Sequence, residues 1–327
     1  MPPTIDSVDR LSRRSDRIAA GLVGLLVGDA LGVPYEFNPP ERLPPAPQIE
    51  YAPPPGFDRS HKGVPPGTWS DDGAQALCLL ASLLDCGRLD LDDFAQRLVR
   101  WYDEGYLAVD GHVFDVGITT AQAIRAVKAG EAPERAGPDG QYSNGNGSLM
   151  RVLPLALWHH GDDAALVRDA RAQSRVTHGH LRAQLCCALY CLWARRLLDD
   201  VDAPWNDAVR TLRALIADDA FPDSDAAAEE LEWSIRPDDP AIGEGSGYVV
   251  DSLRSARWAV EAPDYESAVR RAIRLGHDTD TTACIAGGIA GLMHGIDGIP
   301  VRWREGLRGE ALYRGLLERL RGQVDVR

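Results

Sequence analysis

The sequence predicts an all-α protein folded as a single compact multi-helix domain. In most segments the apolar residues recur at helical spacing, and no segment shows convincing strand alternation. The 327 residues leave room for two domains, but we find no repeat or linker that would mark a boundary. We expect about a dozen helices, the clearest of them over residues 75–84, 94–101, 119–127, 181–198, 208–216, 248–260 and 283–293.

The first residues are polar and charged, which predicts a disordered tail over 1–15 and a folded domain over 16–327. This start lacks the apolar segment of a signal peptide, and the six cysteines form no CxxC pair. We therefore expect a cytoplasmic protein with reduced thiols. The longest apolar run, 18–27, has ten residues, whereas about 20 are needed to span a bilayer.

Charge narrows the classes of partner. The chain has 35 Lys and Arg against 49 Asp and Glu, a formal net charge of −14. An acidic protein of this kind is a poor binder of duplex nucleic acid, because attraction to phosphates needs a basic face. An anionic ligand would instead be held by backbone N–H groups or by bound cations. No apolar stripe demands a partner, so we expect a monomer.

The first predicted helix ends in the segment Gly-Asp-Ala-Leu-Gly over 28–32. Its two glycines allow close contact with another helix, and Pro34 ends the helix. Glu36 then stands at the start of a loop over 38–66 that holds ten of the 22 prolines. A loop of this length is typical of either an active-site lid or a surface excursion. Glu36 is accordingly an active-site candidate or an ordinary loop carboxylate.

Two acidic clusters lie some 200 residues apart, at 67–73 (GTWSDDG) and 276–282 (GHDTDTT). Either cluster alone is typical of helix capping. Together they offer four carboxylates and two hydroxyls, an all-oxygen set that suits Mg²⁺, Mn²⁺ or Ca²⁺. If the two helix starts converge, the carboxylates would repel one another unless cations neutralised them. A two-metal centre that activates a water would satisfy this arrangement.

A further candidate segment is 143–151, where Asn and Gly alternate. Such residues can adopt positive φ and direct successive N–H groups at a phosphate ahead of a helix, although the pattern alone also indicates an ordinary turn. Thr177 and His178 precede a predicted helix, where a histidine is also typical of a cap region. Tyr248 starts another predicted helix. A tyrosine there is typical either of a core residue or of a side chain that stacks on a nucleobase.

These segments, in this order, resemble the ADP-ribosylglycohydrolase family, an all-α fold that includes dinitrogenase-reductase-activating glycohydrolase and the ADP-ribosylarginine and ADP-ribosylserine hydrolases. The likeness runs from about Asp16 to Trp303. It rests on the segments GDALG with Glu36 downstream, GTWSDDGAQ, FDVGITT (114–120), SNGNGSLMRVLP, Thr177-His178, SGYVVDSL (246–253) and GHDTDTTACIAGGIAGLMHGIDGIP.

The resemblance implies a dinuclear Mg²⁺ or Mn²⁺ site at helix N-termini. Its ligands would be Ser70, Asp71, Asp72, Asp278, Asp280 and Thr281. The loop residues Asn144, Gly145, Asn146, Gly147 and Ser148 would bind the ribose and diphosphate, and His178 and Tyr248 would contact the ligand.

The implied activity is metal-dependent hydrolysis of the glycosidic bond between ADP-ribose and an acceptor, by a water activated by two cations. The candidate catalytic carboxylates are Asp71, Glu36 and Asp280, and the sequence leaves open whether Asp71 or Glu36 relays the proton. The partner would be an ADP-ribosylated protein or a small-molecule ADP-ribose conjugate.

Two positions depart from the family pattern of Thr-Asp-Asp-Thr: Ser70 replaces the first Thr and Gly73 the second. Ser70 keeps a hydroxyl, so we expect metal binding to survive. Alternative interpretations are a hydrolase of small-molecule conjugates and a non-catalytic ADP-ribose-binding or structural protein. The complete set of six ligand residues favours an enzyme.

Overall fold

Fifteen α-helices and no strand occur in the part of the chain that the structure, a computed structural model, describes (residues 5–218 and 221–325). This confirms the all-α prediction. The helices are α1 Ile5–Gly32, α2 Asp71–Cys86, α3 Leu91–Glu104, α4 Ile118–Lys128, α5 Pro133–Ala136, α6 Leu153–Trp158, α7 Asp163–Arg175, α8 Leu181–Leu198, α9 Pro204–Ile216, α10 Ser224–Glu229, α11 Val249–Ala259, α12 Tyr265–Ile273, α13 Thr279–His294, α14 Val301–Gly306 and α15 Glu310–Asp325.

The centre of the fold is the long contact between α1 and α13. Glycines on both helices let the backbones approach closely, as the sequence predicts for Gly28 and Gly32. A Cβ atom on Gly28 would lie 2.1 Å from the carbonyl oxygen of Ala283, and one on Gly32 would lie 2.3 Å from the Cα of Asp280. The end of α1 is therefore set directly against the start of α13, where the second acidic cluster lies.

All seven helical stretches predicted from periodicity fall within observed helices to within a residue. Helix α7 is among the helices that were not anticipated, because it has a narrow apolar stripe among many charged residues. In α7 the buried apolar side chains are Leu166, Val167 and Ala170. The rest of that helix is mainly polar, so the periodicity is weak.

The amino-terminal segment differs from the prediction. Helix α1 already begins at Ile5, so residues 5–15 of the expected disordered tail are helical, and residues 1–4 lie outside the described part. The helix is fixed near its start by Arg14 Nη1, which donates to Asp199 Oδ1 at 2.5 Å, and by Arg17 Nη1, which donates to Leu197 O at 2.7 Å.

The segment Ser12–Tyr35 is long and apolar enough, by length and composition, to cross a membrane. The sequence reasoning missed this because it counted only the uninterrupted apolar run. In the structure the most apolar part of the segment is buried throughout, packed mainly against α13. A core helix of a folded domain has these properties.

The Pro-rich loop over 38–66 consists of two packed parts. In the first part Leu43, Ile49 and Tyr51 are buried, and Arg274 Nη1 of α12 donates to Leu43 O at 3.0 Å. The second part folds back towards the end of α1, where His61 meets Glu36. The first part also reaches the second acidic cluster, because Asn38 O accepts from the N–H of His277 at 2.8 Å. The lid stays a prediction.

Candidate active site and metal centre

Helix α2 begins at the first acidic cluster and is held there by α1. Ser70 is the N-cap residue, and its Oγ accepts from the N–H of Asp72 at 3.3 Å. The buried carboxylate of Asp29 accepts from the N–H of Ser70 at 2.9 Å and from that of Gly73 at 2.8 Å. Asp29 thus fixes the start of α2, a role that sequence reasoning missed although GDALG was singled out.

The structure also explains the Gly73 departure. A Cβ atom at Gly73 would lie 2.8 Å from Leu26 Cδ2, 2.9 Å from Trp69 Cγ and 3.0 Å from Asp29 Oδ2. A threonine in this position would require the surrounding side chains to move. The glycine therefore belongs to the packing of α2 on α1, and it leaves the ligand-bearing side chains in place.

The second acidic cluster opens helix α13, and the two helix starts converge as the sequence suggested. Asp280 Oδ1 accepts from the N–H of Thr281 at 2.8 Å, while Asp278 Oδ2 accepts from Asn146 Nδ2 at 2.8 Å. Across the two clusters, Thr281 Oγ1 donates to Asp72 Oδ1 at 3.4 Å. Two segments more than 200 residues apart therefore meet through their side chains.

Three buried carboxylate oxygens at this junction have no hydrogen-bond partner among the described residues. They are Asp72 Oδ2, Asp278 Oδ1 and Asp280 Oδ2. Buried polar atoms are normally paired, so each of these calls for an explanation. Oxygen atoms of Glu36, Asp278 and Asp280 also lie within 4.8 Å of one another.

The pKa values of the carboxyls at the junction also favour a bound cation. Burial, together with neighbouring carboxylates, holds the pKa of Asp71, Asp72 and Asp280 well above the ordinary value. A divalent cation would neutralise these groups and take up the unpartnered oxygens. An all-oxygen donor set of this kind fits a hard cation such as Mg²⁺ or Mn²⁺.

Glu36 lies at the edge of the same junction, buried like the aspartates. Its Oε2 is 2.6 Å from Nε2 of His61, and the hydroxyl of Ser60 donates to its backbone carbonyl. Burial and the surrounding carboxylates, first among them Asp115, raise the pKa of Glu36 to about 10. Glu36 is therefore buried with the two acidic clusters and is not an exposed loop carboxylate.

Asp115 is a second residue that sequence reasoning missed. It lies in the FDVGITT segment, which was used only for recognition, and its Oδ1 is 4.0 Å from His61 Nε2. Burial and the nearby Asp278 raise its pKa to about 6. The sequence signal that could have identified Asp115 is an acidic residue shortly before the start of a helix, here α4.

The Asn-Gly segment forms a turn, one of its two interpretations, but it is not a loop of residues with positive φ. No residue over 144–148 has a positive φ, and α6 begins only at Leu153. The segment pairs with Gly247 and Tyr248 instead: Gly145 and Tyr248 form an isolated antiparallel bridge, and the N–H of Asn146 donates to Gly247 O at 3.1 Å. This backbone pairing determines the conformation of the loop, and a local sequence pattern does not contain it.

The predicted ligand-contacting residues separate into two groups. Asn146 and Gly147 line the cavity together with His178, whose burial lowers its pKa to about 3. The Ser148 side chain points away from it, since its Oγ accepts from Ser174 Oγ at 2.8 Å inside the core. Tyr248 lies outside the cavity, and its hydroxyl accepts from Arg182 Nη1 at 3.0 Å.

Carboxylates from both clusters and part of the Asn-Gly loop meet in one cavity of about 160 Å³, although Ser70 and Asp280 are not among its lining residues. It is lined by Glu36, Asp71, Asp72, Asp115, Gly117, Ile118, Thr119, Thr120, Asn146, Gly147, Met150, His178, Asp278 and Thr281. A larger groove of about 1020 Å³ lies along α5 and α7, but none of the predicted site residues lines it. The smaller cavity is therefore the candidate active site.

A buried polar network connects the two halves of this cavity. Gln75 Nε2 donates to Asp71 Oδ2 at 2.8 Å, and its Oε1 accepts from Arg151 Nη1 at 2.9 Å. The same guanidinium donates through Nε to Gln173 Oε1 at 3.2 Å, and Gln173 Nε2 donates to Ser148 O at 3.3 Å. The network therefore runs from the acidic junction to the Asn-Gly loop.

Comparisons with known proteins identify the family of this chain. The family model described as ADP-ribosylglycohydrolase matches residues 10–326. The ADP-ribosylarginine hydrolase Tri1 of Pseudomonas putida (strain GB-1) is 32% identical over 89% of this chain and 74% of that protein. The ADP-ribosyl-[dinitrogen reductase] glycohydrolase of Rhodospirillum rubrum is 28% identical over 88% of this chain and 89% of that protein.

A solved structure, an ADP-ribosylglycohydrolase-related protein complex, superimposes with a TM-score of 0.75 at 30% identity. The match covers 96% of this chain and 99% of that chain. The agreement extends over almost the whole length and includes all the segments that build the cavity. The resemblance inferred from the motifs is thereby confirmed, and this chain belongs to the ADP-ribosylglycohydrolase family.

Proposed function

We propose that this chain releases ADP-ribose from modified arginine side chains, and that it does so with two Mg²⁺ or Mn²⁺ ions. Family membership makes it a metal-dependent hydrolase of the glycosidic bond between ADP-ribose and an acceptor. The single observation that carries the metal assignment is the set of three buried, unpartnered carboxylate oxygens on Asp72, Asp278 and Asp280.

The residues that would hold the cations are those named from the motifs: Ser70, Asp71, Asp72, Asp278, Asp280 and Thr281. When bound, the cations supply the charge that lowers the pKa of a water and makes it a nucleophile. The surrounding carboxylates would stabilise the positive charge that develops on the ribose during cleavage.

Glu36 is the better candidate for the proton relay. Asp71 Oδ2 already accepts a hydrogen bond from Gln75, which ties that oxygen to the network beneath it. Glu36 Oε2 has His61 as a neighbour at 2.6 Å, and its raised pKa favours a carboxyl that keeps a proton at neutral pH. We therefore propose that Glu36 delivers the proton to the departing nitrogen of the acceptor.

The cavity size indicates how ADP-ribose would lie. Pockets that enclose a whole drug-sized ligand measure roughly 300–1,000 Å³, whereas this cavity measures about 160 Å³. It suits one ribose, beside the carboxylates. The diphosphate would then follow Asn146 and Gly147, and the base would extend towards the exposed edge near Gly145 and Tyr248.

Two observations support arginine as the acceptor. The Pseudomonas relative described above is named an ADP-ribosylarginine hydrolase. Asp115 also lines the cavity, where its carboxylate would face the departing acceptor, and carboxylates are the natural partners of a guanidinium. We also propose a cytoplasmic, monomeric enzyme, and the six free cysteines support the cytoplasmic location.

The function is tested by measuring ADP-ribose release from a substrate panel, first without metal and then with Mg²⁺ or Mn²⁺. The panel contains arginine-linked and serine-linked proteins, ADP-ribosylated nucleic acid and O-acetyl-ADP-ribose. We expect metal-dependent release from the arginine-linked protein. Release from another member alone would refute the arginine assignment. Tight ADP-ribose binding without any release would indicate a binding protein.

A further inference from the structure

Three aromatic rings form a continuous row at the mouth of the cavity. The ring centroids of Phe37 and His61 are 5.7 Å apart, and those of His61 and Phe114 are 5.0 Å apart. These three residues are here called the aromatic row. They come from three separate segments: Phe37 follows α1, His61 lies in the Pro-rich loop, and Phe114 precedes α4. Such a row depends on tertiary folding and has no signature in the local sequence.

The aromatic row contacts two of the acidic residues that line the cavity. His61, its middle member, has Nε2 at 2.6 Å from Glu36 Oε2 and at 4.0 Å from Asp115 Oδ1. Its outer members are the chain neighbours of those two acids, since Phe37 follows Glu36 and Phe114 precedes Asp115. Ring faces and the Asp115 carboxylate therefore occur together at one side of the cavity.

Phe37 is held in an unfavourable position for a hydrophobic residue. Its side chain is 68% exposed, and its φ of 60° is rare for a bulky residue. The backbone is kept there by two hydrogen bonds, from Phe37 N to His277 O at 2.6 Å and from His277 N to Asn38 O at 2.8 Å. Packing within the fold does not account for an exposed ring in this conformation, whereas contact with a ligand would.

We propose that the aromatic row and Asp115 form the acceptor subsite, which binds the guanidinium of the ADP-ribosylated arginine. The inference rests on the proposed function and adds the residues that would select the acceptor. A planar cation stacks on aromatic faces and pairs with a carboxylate at its edge. A serine acceptor is neutral and has no planar group, so it would gain little from these contacts.

The test measures the binding of agmatine, a small guanidinium compound, to the protein saturated with ADP-ribose. We expect Phe37→Ala to weaken agmatine binding about tenfold, as for a partly desolvated cation–π contact. Phe37→Leu should weaken it similarly, because it restores apolar surface without a ring face. Phe37→Trp should retain binding. The affinity for ADP-ribose itself should stay within about twofold in all three variants, since the row lies on the acceptor side.

Trp233→Ala is the matched control, because this indole is 79% exposed and does not line the cavity. It should leave agmatine affinity unchanged. Equal agmatine affinity in wild type and Phe37→Ala would overturn the inference, as would full retention by Phe37→Leu. These outcomes are independent of turnover. A wild type that cleaves arginine-linked substrate while Phe37→Ala binds agmatine normally would therefore refute the subsite alone.

Discussion

Replacement of Asp280 by Asn is expected to lower hydrolysis about a thousandfold or more and, at the same time, to stabilise the metal-free protein. Asp280 is fully buried, and its Oδ2 has no partner among the described residues. An amide of the same shape removes one negative charge from the junction and offers a weaker ligand to a hard cation. Loss of charge at the position where the cations act should abolish most of the rate enhancement.

The stability effect has the opposite sign for a physical reason. In the metal-free protein the Asp280 carboxylate is buried beside Glu36, Asp115 and Asp72, and both burial and repulsion raise its pKa. Removal of a poorly compensated buried charge is often stabilising, here by about 1–2 kcal/mol. A variant that had merely misfolded would show the reverse, so the two effects together identify a functional carboxylate.

The measurement combines turnover, urea unfolding without metal and an equilibrium titration with Mn²⁺. Wild type should bind two ions per chain and Asp280→Asn fewer. Asp92→Asn is the matched control, because Asp92 is an exposed acid in the first turn of α3, and it should change none of the three. Unchanged turnover in Asp280→Asn would be incompatible with the proposed centre.

Replacement of Arg151 by Met is expected to destabilise the protein by about 3 kcal/mol, the largest effect we anticipate away from the metal centre. The guanidinium is fully buried, and it donates to Gln75 Oε1, Gln173 Oε1 and Gln173 O. Methionine of similar length fills the space but leaves these three buried oxygens unsatisfied. Each such oxygen costs about 1–3 kcal/mol, less what local rearrangement recovers.

Urea unfolding measures this cost, with Arg125→Met as the control on an exposed position of α4. Arg151→Lys should fall between wild type and Arg151→Met, because an ammonium keeps the charge but lacks the planar fork that reaches both glutamines. We also expect weaker metal binding in Arg151→Met, since Gln75 would hold Asp71 less firmly. Equal unfolding free energies for wild type and Arg151→Met would show that the network contributes nothing.

The fold was predictable where helices carry a strong apolar face. Helix α3 shows this most clearly, with Phe94, Ala95, Leu98 and Trp101 buried on one face. Helices α2, α8 and α13 are instead buried almost throughout and are apolar over most of their length. The beginning of α1 was not predicted, because its charged residues resemble a flexible tail until the bonds of Arg14 and Arg17 to the end of α8 are known. Stability of this kind comes from tertiary contacts, which a local pattern does not contain.

The convergence of the acidic residues was predictable from the motifs, but the shape of the cavity was not. The motifs identified Asp72, Asp278, Asp280 and Thr281, and the structure brings these residues together. The roles of Asp29 and Asp115 were missed, because a single acid within an otherwise unremarkable segment gives no signal until its neighbours in space are known. The Asn-Gly loop was assigned a helix-start geometry, whereas pairing with Gly247 and Tyr248 determines its conformation.

The central claim is that carboxylates from two distant helix starts form one buried site for divalent cations. If the claim holds, the stability of the metal-free protein depends on pH. Burial raises the pKa of Asp115 to about 6 and that of Asp29 to about 7, above their ordinary value of 3.8. Between about pH 4 and pH 7 the metal-free folded state therefore holds more protons than the unfolded chain, so its stability falls as pH rises.

Thermal unfolding with Mg²⁺ and with a chelator, at pH values from 5 to 8, tests this claim most directly. Protons compete with cations for the ligand carboxylates, so metal binding strengthens as pH rises. A ligand of the folded state raises its stability by RT ln(1 + [L]/Kd), which grows as Kd falls. We expect Mg²⁺ to raise the midpoint temperature, and to raise it more at pH 8 than at pH 5. An unchanged midpoint at pH 8, or an equal increase at both pH values, would contradict the account.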